Sequence, residues 1–353
     1  MRWHRRCATL ILCSAPILIP LAASGDKTED FPKPTATTAD EPRAKTLSLP
    51  AAARFLDAAS VNWTRDRKCV TCHTNVPYLF ARSAIKDAPK AGPTLVRKFF
   101  EERAAHWDDG EKSAKPRWDA EVVVTAAALA FDDAQTTGKL HPLTRKALDR
   151  MWKVQRADGG YNWLKCGWPP FEHDDYFGAT LAELAAAVAP DGYDQTEEAT
   201  RGLVKLQQYF RKNPPPTLHH KIWLLWAKAL NRSEGLMARA EQERTIKELR
   251  ALQRKDGGWS LPSLGDWKGH DGRENDKAAP SDGYATGLVV YVLRQAGTPA
   301  KDAAIRRGVD WLRTNQRASG RWFTRSLNSN GAHFITNAGT AFAVMALTAC
   351  AEK

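Results

Sequence analysis

Two kinds of apolar segment alternate along the chain, and both have the periodicity of a helix. The first kind is amphipathic, with Lys and Arg opposite an apolar face, as in residues 142–156 and 301–316. The second kind is apolar almost all round and should therefore be buried, as in residues 119–132 and 335–349. No strand pattern competes with these segments. The alternation predicts an all-α protein in which buried helices lie inside amphipathic ones.

The buried segments form an internal repeat. Aligning them on Thr125, Thr180, Thr286 and Thr340 gives spacings of 55, 106 and 54 residues, which correspond to one, two and one repeat unit. Six hairpins result, and six hairpins can close into an (α/α)6 toroid with two concentric layers. The outer helices are predicted at about 49–59, 92–107, 142–156, 196–212, 236–254 and 301–316, and the inner helices at about 75–85, 119–132, 175–189, 218–230, 283–296 and 335–349.

Three of the amphipathic helices end alike, in VQRADGGYNW, LQRKDGGWS and NQRASGRW. These endings resemble the QW motifs of squalene-hopene and oxidosqualene cyclases, within the wider terpenoid cyclase/prenyltransferase family of α/α toroids. The resemblance implies that Gln155, Gln253 and Gln316 cap the next helix while Trp259 and Trp322 stack over it. It is strong for the fold and weak for the reaction, because toroids host many functions.

The N-terminus has the pattern of an export signal. Three arginines precede an apolar stretch from Ala8 to Leu21, and small residues follow at 22–24. We therefore predict a signal peptide at 1–24, a flexible Pro- and Thr-rich linker at 25–47 and the toroid domain at 48–353, with a periplasmic or extracellular location. An uncleaved membrane anchor is the alternative for 1–24. No later apolar run reaches 18 residues, so no membrane span is expected after signal removal.

Charge and cysteine content narrow the function classes further. The net charge of the 353 residues is +12, but both signs are interspersed, which is typical of a solvated surface and not of a nucleic-acid-binding stripe. Signal removal leaves Cys69, Cys72, Cys166 and Cys350, too few for a disulfide scaffold.

The most specific chemical motif is Cys69-Val-Thr-Cys72-His73. Two thiols three residues apart can form thioethers to both vinyl groups of haem, and the adjacent histidine can bind the iron. Export favours this interpretation because haem c is attached outside the cytoplasm in bacteria. We predict a c-type haem at the entrance to the first inner helix, which lies one repeat before Thr125 and therefore at the rim of the toroid.

Three other interpretations of the motif stay open. Cys69 and Cys72 can be inert structural thiols, or they can form a Cys69–Cys72 disulfide. The third is zinc, since prenyltransferases of the resembled fold hold a catalytic zinc through Asp, Cys and His. The zinc ligands would be Cys69, Cys72, His73 and one of His173, His333 or Asp175.

A second axial ligand for haem would have to come from the same rim. His333 is the first candidate, because hairpins six and one become neighbours when the ring closes. His173 is the alternative, and His219 and His220 occupy analogous positions. An open iron site would favour ligand chemistry over electron transfer.

Two carboxylates at the start of the third inner helix are the candidate catalytic acids. Asp174 and Asp175 lie in Glu-His-Asp-Asp, which resembles the Asp-x-Asp-Asp motif of class II cyclases except that Glu172 replaces its first residue. Adjacent carboxylates can raise one another's pKa, as a general acid requires. The alternative is that they cap a helix N-terminus.

Three functions follow from these features. The first is an exported haem protein acting in redox or ligand binding, with a redox partner. The second is a cyclase- or transferase-like enzyme that holds an apolar, terpenoid-type small molecule in the toroid cavity. The third is a non-catalytic interaction module.

Overall fold

Twelve α-helices, and no β-strand, make up the part of the chain that the computed structural model describes, residues 30–107, 119–165, 167–171, 174–230, 235–329 and 331–351. The predicted signal peptide at 1–24 lies outside these residues. In chain order the helices are α1 Leu49–Arg67, α2 Asn75–Ala81, α3 Ala91–His106, α4 Asp119–Thr136, α5 Pro142–Lys153, α6 Asp175–Val188, α7 Glu197–Lys212, α8 Leu218–Leu230, α9 Arg239–Ala251, α10 Gly283–Gln295, α11 Ala303–Asn315 and α12 Ile335–Cys350.

The predicted toroid of six hairpins is confirmed. The even-numbered helices pack side by side in chain order, and α12 packs against α2 to close the ring. They are buried along most of their length, whereas an outer helix such as α7 buries only one face. Because the even-numbered helices are apolar all round, they occupy the inner layer. No helix among the described residues is both long and apolar enough to cross a bilayer.

The three glutamines of the repeat endings join successive outer helices, as the resemblance implied. The Gln155 side chain donates from Nε2 to the carbonyl of Gly202 in α7, and that of Gln253 donates to Ala304 in α11. Gln316 makes the equivalent bonds to Ser48, which caps α1, and so ties the last hairpin to the first. The ring is therefore closed by the same contact that links α5 to α7 and α9 to α11.

A glycine with positive φ follows each of these glutamines by four residues. Gly159, Gly257 and Gly320 have φ of +94°, +91° and +94°. A Cβ on Gly320 would lie 2.3 Å from the carbonyl oxygen of Ala51 in α1, and the other two approach the next outer helix in the same way. Glycine is needed here both for the left-handed backbone and for the close approach of two chains.

Aromatic side chains fill the axis of the toroid. Trp226 of α8 lies 6.2 Å, between ring centroids, from Phe80 of α2, and these two helices stand on opposite sides of the ring. Trp226 and Trp223 also contact Phe342 of α12, at 6.1 and 5.7 Å. Because rings from opposite walls touch, the middle of the toroid is packed core.

The N-terminal segment (residues 31–47) differs from the flexible linker predicted over 25–47. It runs along the toroid, and the buried guanidinium of Arg321 binds it through the carbonyls of Thr35 and Ala36 and the carboxylate of Glu41. Ala44 also pairs its N–H with the carbonyl of Gln316. The Pro- and Thr-rich composition indicated no core of its own, but it could not show that a buried arginine elsewhere holds the segment.

Candidate functional site

The Cys-x-x-Cys-His motif forms a tight turn between α1 and α2, at the predicted entrance to the first inner helix. The side chain of Asn75 holds this turn, because its Oδ1 accepts from the Thr71 N–H at 2.8 Å and its Nδ2 donates to the Cys69 carbonyl at 3.0 Å. The Cys72 side chain is buried and Cys69 is half-buried. The turn brings both sulfurs and the His73 ring into one short loop on the rim.

Aromatic rings surround His73. The ring of Phe334 stacks on it at 5.6 Å between centroids, and Trp63 meets it edge-on at 4.9 Å. Burial among these rings lowers the pKa of His73 to about 4, so the imidazole is neutral at pH 7. Phe334 precedes α12, which confirms that hairpins six and one meet at this site.

Hydrogen bonds distinguish the two histidines predicted to bind the iron. His73 Nδ1 lies 2.8 Å from the hydroxyl of Thr74, which can accept a proton from it, and Asn337 fixes that hydroxyl. Nε2 of His73 is then the nitrogen with a lone pair for a metal. Nδ1 of His333 instead accepts from the Ser326 N–H at 2.9 Å, which places the proton of the neutral ring on Nε2. His333 is therefore in the wrong tautomer to bind a metal through Nε2.

The two histidines also line different cavities. His73 borders a gap of about 30 Å³, whereas His333 borders a separate cavity of about 370 Å³. The Phe334 side chain lines both. The structure thus places His333 near the motif but does not bring it into the same cavity as His73.

The donor set of the turn fits a c-type haem, with two thiols and a neutral histidine whose Nε2 is available. The gap beside His73 is far smaller than the several hundred Å³ that ligands of this size occupy. Two large aromatic side chains at its edge are unusually exposed, Trp168 at 37% and Phe334 at 39%. A haem at His73 therefore requires one of these rings to move outward.

The zinc interpretation finds no complete ligand set in the described ranges, where no three His, Cys, Asp or Glu side chains are grouped to hold a metal ion. Asp175 is engaged by a cation instead, with Oδ2 2.7 Å from Arg156 Nη1. His173, the remaining predicted ligand, lies outside the described residues.

The two candidate acids occupy the rim of the toroid and do not face its axis. Asp174 caps α6, accepting from the Phe177 N–H at 3.1 Å, and its other oxygen lies 2.8 Å from Nε2 of buried His220. Asp174 and Asp175 line an open surface pocket of about 370 Å³. The capping interpretation is confirmed for Asp174, and neither side chain has the apolar surroundings of a cyclase acid.

Asp282 has the raised pKa that a general acid requires. It caps α10 and accepts from the N–H groups of Leu261 and Ala285. Burial raises its pKa to about 7. Asp282 and Asp174 both cap the start of an inner helix, and burial distinguishes the two.

A buried polar cluster centred on His219 lies beneath the rim. The sequence indicated only that His219 is one of several histidines at the rim. Nε2 of His219 lies 2.8 Å from the Tyr284 hydroxyl and 3.1 Å from the Trp223 indole nitrogen. Burial, together with His220, lowers the pKa of His219 well below its usual value. The signal that could have found it is its place on a helix that is apolar all round.

Comparison with known proteins supports the fold and leaves the chemistry open. Residues 222–335, about a third of the chain, match the family model of the squalene-hopene cyclase C-terminal domain. No curated protein matches the chain. The sequence and the architecture together support a squalene cyclase-like α/α toroid.

Two solved structures resemble the chain at low sequence identity. One is ent-copalyl diphosphate synthase from Streptomyces platensis, with a TM-score of 0.48, 15% identity, and coverage of 78% of this chain and 50% of that one. The chain thus spans half the length of that synthase. The other is a glycosidase, with a TM-score of 0.48, 9% identity, and coverage of 84% of this chain and 95% of that one.

Proposed function

We propose that this squalene cyclase-like toroid is an exported protein that carries a covalent c-type haem and acts in ligand binding or electron transfer. The observation that carries the proposal is the geometry of the Cys-x-x-Cys-His turn. Both thiols lie on one loop, and in the tautomer in which Nδ1 of His73 donates to Thr74, Nε2 is the metal-binding nitrogen.

In this proposal Cys69 and Cys72 hold the haem covalently and His73 is the proximal ligand. The bound haem supplies a redox-active iron and a position for small ligands. Trp63 orients the His73 ring by its edge contact, and Phe334 stacks on the face of the imidazole. The Asn75 side chain keeps the turn in shape, which makes it a positioning residue.

Because Nδ1 of His333 accepts a backbone N–H, we propose that His333 does not bind the iron. Its replacement by alanine should then leave the haem spectrum unchanged. An altered Soret band in His333→Ala would restore it as the second axial ligand.

The enzyme alternative, with an apolar substrate inside the toroid, has less support. Aromatic rings from opposite inner helices meet on the axis, so a terpenoid-sized substrate would have to displace packed core. Asp174 and Asp175 are committed to a helix cap and an ion pair. We therefore assign the toroid the role of a scaffold that presents the haem loop at its rim.

The first test is the visible spectrum of the full chain exported from a bacterial host with haem c maturation, followed by a haem stain after denaturing electrophoresis. A Soret band with a stain that survives denaturation is expected. The double variant Cys69→Ser/Cys72→Ser should lose the stain. Cys350→Ser, which changes a half-buried thiol at the end of α12, is the matched control and should keep it.

The same preparation discriminates the alternatives. Absence of a Soret band, from cells that mature a control cytochrome, would refute the haem proposal. Stoichiometric zinc that is lost in His73→Ala would then favour a metal site. A mass lower by two hydrogen atoms, restored by reductant, would favour a Cys69–Cys72 disulfide.

A further inference from the structure

A cavity of about 370 Å³ lies between the N-terminal segment and the toroid, on the far side of Trp63 and Phe334 from the haem-motif gap. One wall is the α1 face that carries Phe55, Ala59 and Trp63, and the opposite wall is residues 33–37. Its volume falls within the range of small-molecule sites. The cavity exists only because the N-terminal segment is held against the ring.

The apolar part of this cavity is aromatic. Trp63 and Phe334 meet edge to face, with centroids 5.2 Å apart, and Phe55 lies beneath the guanidinium of Arg321 at 5.5 Å. Together they offer ring surfaces to a flat or apolar body. Aromatic walls with a few polar groups at the rim are the usual composition of a small-molecule pocket.

The polar part of the cavity has an excess of positive charge. Lys33 pairs with Asp66 at 2.7 Å, and Arg321 is paired with Glu41 and with the carbonyls of Thr35 and Ala36. These carbonyls are therefore turned toward Arg321.

One cation in this lining has no such carboxylate partner. Arg67 lies over the Trp63 ring at 5.7 Å, and no salt bridge joins it to any residue that the structure describes. His333, in the tautomer set by Ser326, contributes another N–H donor.

We propose that this cavity binds a small monocarboxylate with an aromatic body, its ring against the cavity side of Trp63 and Phe334 and its carboxylate at Arg67. One unpaired guanidinium beside aromatic walls matches one negative charge on an apolar ring. The site lies beyond the proposed haem function and does not depend on it, because none of Cys69, Cys72 and His73 lines the cavity.

The test is isothermal titration of the full chain with benzoate, and with benzamide as a neutral probe of the same shape. Saturable one-to-one binding of benzoate is expected, with benzamide weaker. Arg67→Gln should weaken benzoate about fivefold to tenfold, as expected for loss of one charge-assisted contact.

Arg65→Gln is the matched control. Arg65 lies two residues earlier in the same last turn of α1 and stacks on Phe31 at 5.6 Å, but it does not line the cavity. It should leave the affinity unchanged. Ala59→Leu, which adds bulk to the wall, should abolish binding, and an unchanged unfolding midpoint will show that this variant is folded.

Several results would overturn the inference. These are no saturation with benzoate, equal affinities of benzoate and benzamide, and equal effects of Arg67→Gln and Arg65→Gln. The titration is repeated with the Cys69→Ser/Cys72→Ser variant, which cannot hold a covalent haem. This variant should still bind benzoate even if the haem proposal fails. Benzoate binding that is present in this variant and absent from the haem-loaded protein would refute a site separate from the haem.

Discussion

Replacing Gln316 with alanine should open the ring where the last hairpin meets the first. The Gln316 side chain donates from Nε2 to the carbonyls of Ser48 and Gly320, both at 2.9 Å, and its Oε1 accepts the Ser48 N–H at 2.7 Å. The two bonds to Ser48 span 268 residues and fix the start of α1. Alanine cannot replace any of them.

The size of the effect follows from these three bonds. A buried hydrogen bond contributes on the order of 1 kcal/mol net, so the free energy of unfolding should fall by about 3 kcal/mol. The entropy of unfolding near the melting temperature is about 2 cal/mol/K per residue, or roughly 600 cal/mol/K for a domain of this size. The melting temperature should then fall by roughly 5 °C.

The assay combines thermal unfolding with hydrogen exchange measured by mass spectrometry. Exchange should rise in the first turns of α1, because the Gln316 side chain binds Ser48 at their start, whereas the bond from Ala44 to the Gln316 carbonyl is kept by alanine. Gln253→Ala, which removes an equivalent junction between α9 and α11, should cost about 2 kcal/mol without faster exchange in the first turns of α1.

Gln295→Ala, at the end of α10, serves as the control, since no hydrogen bond of its side chain is seen in the described residues. It should change stability by less than about 0.5 kcal/mol. The reasoning fails if Gln316→Ala is no more destabilising than this control. It also fails if exchange in α1 is unaffected.

Three further predictions concern the core and the ring. Gly320→Ala should lower the free energy of unfolding by about 3 kcal/mol, because its Cβ would meet Ala51. Gly138→Ala, with positive φ but open surroundings, should lower it by only about 1 kcal/mol. Urea denaturation measures both losses, and equal losses would contradict the packing argument. Trp226→Ala should cost about 3–5 kcal/mol in the same assay, since it leaves a cavity on the axis, and a loss below about 1 would indicate an axis that is not packed. Because the pKa of Asp282 is raised to about 7, folding favours its protonated form. The stability of the unmodified protein relative to Asp282→Asn should therefore decline as the pH rises from about 4 to 7 and level off above. A stability difference that is independent of pH would exclude this titration.

The candidate acids show why a motif in the sequence is not yet a site. Asp174 and Asp175 have the spacing of a cyclase motif, but the acidity of a carboxyl group depends on what lies against it in space. Arg156, which binds Asp175, comes from the end of the preceding outer helix, and His220, which binds Asp174, comes from the next inner helix. Only the closed hairpins bring these partners together. Asp282 caps another inner helix, but it is buried, and burial gives it the raised pKa.

The histidines make the same point for metal binding. Proximity of His333 to the Cys-x-x-Cys-His turn follows from ring closure, and the structure confirms that the regions around them meet at Phe334. The protonated nitrogen of His333, however, is set by the Ser326 N–H, whereas the Thr74 hydroxyl beside His73 can either accept or donate a proton. No spacing in the sequence encodes that difference.

The sequence by itself determined the architecture, because each buried helix is apolar all round and each outer helix on one face, and this pattern repeats six times. It also identified the glutamine junctions and the position of the Cys-x-x-Cys-His turn at the rim. Only the tertiary structure decided that the axis is filled, that the N-terminal segment is bound by Arg321, and which polar groups are paired. Periodicity specifies which face of a helix is buried, whereas cavities, tautomers and ion pairs depend on side chains that meet across the ring from distant parts of the chain.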